Sequence, residues 1–155
     1  IDLLTHRIIK INGRYCVTPS FFKSTYRFGQ LENTIVYSET CEFLGVDDAV
    51  DTSMANALLA GGARAVVGYV NNVYTVYSRS MLWDTVNHLI LGQPIEQAVA
   101  HAKDTYGEND LVWYTSQGGQ RPHAAAAYTM LLGDASAQLT VHESAPAFSE
   151  QQKAA

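Results

Sequence analysis

Two thiols and five imidazoles carry most of the chemistry this sequence could perform: Cys16, Cys41, His6, His88, His101, His123 and His142. A cysteine becomes a nucleophile when a base takes its proton and backbone N–H groups stand ready for an oxyanion. Cys41 closes the apolar run of 34–39 and precedes a polar turn, so a strand could deliver it to a cleft, or bury it as a small hydrophobe. Composition leaves those two readings open. Cys16 alternates with Tyr15 and Val17 in the second half of a hairpin and reads as a packed strand residue. Asp84 and His88 stand four residues apart on one helix face. That spacing suits a metal ion, but two ligands without a third make a helix-surface pair the better account, and no metal site is assigned. His101 sits on the following helix, while His123 and His142 have no spaced partner. Gly61-Gly62 and Gly118-Gly119 lack the Gly-Lys-Ser/Thr of a phosphate loop, and no cofactor is expected.

Positioning Cys41 requires a scaffold, and the chain punctuates one clearly. Asn12-Gly13 lies between two β-rich runs and predicts a tight hairpin. Pro19 opens a short helix that Gly29 ends. Segments 34–39 and 63–70 are continuous apolar runs, the mark of strands buried on both faces. Between them, a helix over 51–62 starts at Asp51 or Thr52 and stops at Gly61-Gly62. Helices over 78–92 and 94–107 end at Gly92 and Gly107, a Gly/Gln-rich loop follows, and 127–134 reads as the last strand. Alternating strands and helices predict an α/β fold, a mostly parallel sheet flanked by helices, with 34–39 and 63–70 as adjacent central strands. Chemistry gathers at the carboxyl ends of such strands, which is where Cys41 lies.

The totals exclude several classes. Hydrophobic residues at 47% against 16% charged make a globular chain of 155 residues, large enough for one core. A net charge of −5 with scattered Lys and Arg argues against nucleic acid as a partner. No apolar segment reaches the roughly 20 residues of a membrane span. Two cysteines leave the redox compartment open, and the compartment is not assigned. The chain opens on Ile1 rather than Met, which suits a processed product or a cut piece.

Four stretches taken in order resemble the C-terminal part of a caspase-like cysteine peptidase domain of the gingipain, clostripain and CHAT kind. Segment 34–42, TIVYSETCE, looks like the strand ending in the catalytic Cys. Segment 53–73, SMANALLAGGARAVVGYVNNV, is similar to the helix and strand that follow it. Segment 89–107 looks like the helix pair, and 130–139, MLLGDASAQL, resembles the closing strand, with Ala135 where the family has proline. The resemblance covers roughly 33–141. It implies that residues 1–142 are the C-terminal portion of such a domain; 143–155, polar and Ala-rich, read as a flexible tail. The resemblance implies an endopeptidase in which Cys41 is the nucleophile and its own N–H helps bind the oxyanion. Tyr69, Val70 and Asn71, leaving the next strand, would wall the substrate pocket. Asp47 and Asp48 follow the Cys strand as exposed loop acids.

The family's base is a His followed by Gly. The upstream histidine here, His6, is followed by Arg7 within a strand-like segment. The expectation is therefore a base supplied from a segment outside this chain, with a second chain or second copy covering the N-terminal edge of the sheet and a peptide or protein as substrate. An inactive caspase-like interaction module, half of an obligate complex and an unrelated flavodoxin-like binding domain are the competing readings.

Overall fold

The computed structural model describes residues 1–26, 29–110, 114–116, 119–121 and 127–140. Strands β1 (Ile8–Ile11) and β2 (Arg14–Val17) pair antiparallel about Asn12 and Gly13, whose φ values of 48° and 82° are those of the tight turn this dipeptide favours. Helix α1 (Pro19–Thr25) has its proline at the first turn, where a missing N–H costs nothing. Strand β3 (Ile35–Tyr37) follows. A two-residue pair, β4 (Gly45–Val46) and β5 (Ala49–Val50), then leads into helix α2 (Ser53–Ala60). The Asp51 carboxylate accepts the Ser53 N–H at 2.9 Å, so it, rather than Thr52, caps α2 with its side chain.

Strand β6 (Ala65–Val70) is the centre of the molecule, every residue buried. Its period-two alternation gives it two apolar faces. Ala65, Val67 and Tyr69 pack against helices α3 (Thr75–Ile90) and α4 (Ile95–Tyr106), meeting Leu89, Ile95, Ala98, Met81 and Ala102. Val66 and Val70 face the other way, onto Leu44 and onto Ala55 and Leu58 of α2. Burying each of these Val or Leu side chains contributes about 1.5–3 kcal/mol, so three layers form around β6.

The sheet is mixed, a correction to the mostly parallel one expected. In the order β3-β6-β9, β3 runs parallel to β6 and β9 (Tyr128–Gly133) runs antiparallel. The reason is the number of crossings. The single helix α2 carries the chain back to the starting end, giving a parallel neighbour. Helices α3 and α4 form an antiparallel hairpin, with Tyr77 Oη donating to the Gly107 carbonyl at 2.8 Å and Leu89 beside Ile95. Two crossings return the chain to the carboxyl end of β6, from which β9 must run backwards. Past that strand, the Ile95 N–H donates to Ala137 O at 2.8 Å, closing α4 onto the far end. Among the described residues β3 is thus an edge strand, not a central one. The loop expected around Gly118-Gly119 contains a short antiparallel pair, β7 (Tyr114–Ser116) and β8 (Gly119–Arg121). The segment read as a polar tail lies outside the described residues. No helix among the described residues is long and apolar enough to cross a membrane.

Candidate functional site

Beyond β3 the chain does not leave the sheet at once. Ser38 N–H donates to Val67 O at 2.8 Å, Leu44 N–H to Tyr69 O at 2.9 Å and Glu42 N–H to Asn71 O at 2.9 Å. The segment 38–44 is therefore laid along the carboxyl half of β6, and Glu42, at φ 57°, turns it. Gly68 makes this close approach possible: a Cβ there would stand 2.5 Å from Phe43 Cδ1 and 3.3 Å from Leu44. Cys41 sits at the tip of this segment, exposed. Its Sγ lies 3.4 Å from Val73 O, so the thiol donates its proton to a carbonyl. Among the described residues nothing accepts from the Cys41 N–H, which leaves a backbone donor beside the sulfur.

An apolar-walled cleft of about 470 Å³ opens alongside, lined by Tyr37, Glu39, Thr40 and Phe43 from the Cys41 segment and by Phe22 and Leu58 from the helices opposite. Cys41 is not part of its lining, but Thr40 and Phe43 flank it on either side in the chain. Two of the cleft's lining residues, Tyr37 and Glu39, also belong to a hydrogen-bond network with Tyr69 and Ser78. Tyr37 Oη and Tyr69 Oη are 2.8 Å apart, Tyr69 Oη reaches Ser78 O at 3.5 Å, and Ser78 Oγ reaches Glu39 Oε1 at 3.4 Å. Burial pushes the Tyr37 phenol up to about 12 and the Tyr69 phenol up further, and it raises Tyr77 as well. All three stay protonated donors at neutral pH.

The residues expected to wall a substrate pocket lie deeper than that role suggests. Tyr69 and Val70 are fully buried and Asn71 is 1% exposed. Asn71 takes a left-handed φ of 69° and exchanges two hydrogen bonds with Asp48, at 3.0 Å through its Oδ1 and 2.7 Å through its Nδ2. Asp47 and Asp48, at φ 50° and 61°, are the two turn residues of the β4–β5 hairpin, so Asp48 is a structural partner of Asn71 rather than a loose loop acid.

His6 is exposed, with its carbonyl taken by the Thr18 hydroxyl at 2.7 Å. Among the described residues no hydrogen bond joins it to Cys41. Cys16 is half-buried in β2. His123 and His142 lie outside the described residues.

One convergence escaped the reading along the chain. The α3–α4 hairpin brings His101 to the Asp84–His88 pair. His101 Nδ1 stands 2.7 Å from Asp84 Oδ2, and the two imidazole centroids are 3.8 Å apart. Counting outward from the Gly92–Pro94 turn places residue 101 opposite residue 84, which was the signal available.

Compared with family models, curated proteins and solved structures, the chain matches none of them.

Proposed function

We propose that this chain is the C-terminal part of a cysteine endopeptidase of the caspase and gingipain type, with Cys41 as nucleophile and the base a His on a segment outside the chain. The observation that carries the reading is the exposed Cys41 thiol past the carboxyl end of β3, beside a backbone N–H that no described residue engages and a cleft that would receive a peptide. The base takes the thiol proton, freeing Sγ from Val73 O, and the thiolate adds to the peptide carbonyl carbon. The oxyanion that forms is met by the Cys41 N–H. The imidazolium returns its proton to the leaving amine as the C–N bond breaks. Water, deprotonated by the same imidazole, then splits the thioester and restores the thiol.

Among the described residues one side of β3 is unpaired, which fits a base from outside. Residues on a strand alternate the direction of their backbone groups. Ser38 N–H and Thr34 C=O bond toward β6, so the N–H and C=O of Ile35 and Tyr37 face the open edge. A strand added there would carry a side chain at its carboxyl end next to Cys41. That strand is the second chain or second copy this reading requires. Tyr69 and Asn71 then serve the pocket indirectly, Tyr69 by holding Tyr37 and Asn71 by fixing the turn after the Cys41 segment.

The test is Cys41→Ala in the assembly that contains the base, with peptide cleavage followed by mass spectrometry and folding by circular dichroism. Loss of cleavage with an unchanged fold is expected. Cleavage that survives the substitution refutes the peptidase. An assembly inactive with Cys41 intact favours the interaction module.

A further inference from the structure

The Asp84, His88 and His101 cluster answers a question that neither the fold nor the thiol chemistry touches. One ring nitrogen from each histidine and a carboxylate oxygen of Asp84 lie within 4.8 Å of one another. Two come from α3 at i and i+4, on the face that packs against α4, and the third comes from α4 itself. The Asp84 side chain is 17% exposed and the His101 side chain 50%, so the group sits at the rim of the helix interface, open to solvent on one side. His88 Nδ1 is buried and, among the described residues, has no hydrogen-bond partner. A buried ring nitrogen that finds neither donor nor acceptor is costly, and native structures rarely leave one so. Two imidazole rings tilted by 42° with centroids 3.8 Å apart also gain little by themselves.

We infer that Asp84, His88 and His101 form a site for a borderline divalent transition cation such as Zn²⁺. Two imidazoles and one carboxylate are the donor set such ions take when one coordination position stays open. The cation supplies the electron-pair acceptor that the paired histidines lack and neutralises the Asp84 carboxylate. A tetrahedral shell with metal–ligand bonds of about 2.0–2.1 Å needs donor atoms about 3.3 Å apart. The half-exposed His101 ring can swing to close that gap, giving up its 2.7 Å contact with Asp84 for coordination. Bound there, the ion clips α3 to α4. Its fourth position faces solvent, for water or for a donor from another molecule.

The test is titration of the chain with Zn²⁺ against a chromophoric chelator, repeated with Co²⁺ to read the coordination sphere. One equivalent binding in the micromolar range or tighter is expected. The Co²⁺ form should show visible d–d absorption without a thiolate charge-transfer band. His101→Ala and Asp84→Asn, each checked for an unchanged circular dichroism spectrum, should each weaken binding roughly tenfold or more. His6→Ala should leave it unchanged. Thermal unfolding should shift upward with Zn²⁺ and return with chelator. No saturable equivalent, a loss in only one or neither of the two site variants, or a thiolate band placing the ion on cysteine would each overturn the site.

Discussion

Tyr37 gives the phenol network a measurable signature at alkaline pH. Its phenol is held at about 12 in the folded chain against an ordinary 10, because burial disfavours the phenolate. A group raised on folding contributes stability that is complete below its unfolded value and lost as pH rises through its folded value. Here that window runs from about 10 to about 12. Two pH units at 1.36 kcal/mol each make the whole contribution about 2.7 kcal/mol, half of it gone by about pH 11. Tyr69 is pushed in the same direction, so the comparison must be with Tyr37→Phe. That variant keeps the ring and loses the 2.8 Å bond to Tyr69, at a cost of about 0.5–1.5 kcal/mol at pH 8. Urea unfolding at fixed ionic strength, at about pH 8 and pH 11, then gives the difference. The wild type should lose about 1.4 kcal/mol more than the variant over that interval. Equal losses would mean that Tyr37 titrates as an exposed phenol and that its network with Tyr69 is not formed.

Two further substitutions probe the segment that presents Cys41. Gly68→Ala drives a methyl against Phe43 and should destabilise the fold by about 1–3 kcal/mol, seen as a lower urea midpoint; an unchanged midpoint would mean that 38–44 does not lie on β6. Asn71→Ala loses both bonds to Asp48 and places a Cβ-bearing residue without a polar side chain at φ 69°, for about 2 kcal/mol or more, while Asn71→Gly relieves the backbone and should cost roughly 1 kcal/mol less. Equal costs for the two variants would remove the left-handed backbone from the explanation.

Local signals carried much of the fold. Asn12-Gly13 specified its hairpin, the runs around Val36 and Val66 specified two strands, and one helix of crossover length between them specified their parallel pairing. The direction of β9 was not legible, because apolar alternation is the same read either way. Only the α3–α4 hairpin, a tertiary fact, decides it. The β4–β5 pair escaped because two-residue strands leave no periodicity, and Asp47-Asp48 is a weaker turn signal than Asn-Gly. Helix α3 starts at Thr75, three residues before the expected start. Its first turn is held by tertiary contact, Tyr74 N–H donating to the buried Asp110 carboxylate at 2.7 Å. At the site, the placement of Cys41 past β3 was readable, but its exposure was not, because a thiol at a strand end reads equally as a packed hydrophobe. The burial of Tyr69 was readable too, since a strand apolar on every residue leaves no side chain for a pocket wall. The meeting of His101 with Asp84 joins residues 17 apart across a helix turn, and no pattern within one helix contains it.

The central claim is that Cys41 is a thiol built to be activated from outside this chain. The direct measurement is the alkylation rate of Cys41 relative to Cys16 near neutral pH, by iodoacetamide labelling and peptide mass spectrometry. It is made first on residues 1–155 alone and then on the assembly that brings the base. Alone, the Cys41 proton rests on Val73 O and the two thiols differ by exposure. With the base in place, the Cys41 rate should rise roughly tenfold or more while that of Cys16 stays where it was. A ratio that is the same in both would contradict the claim and return Cys41 to an exposed surface thiol.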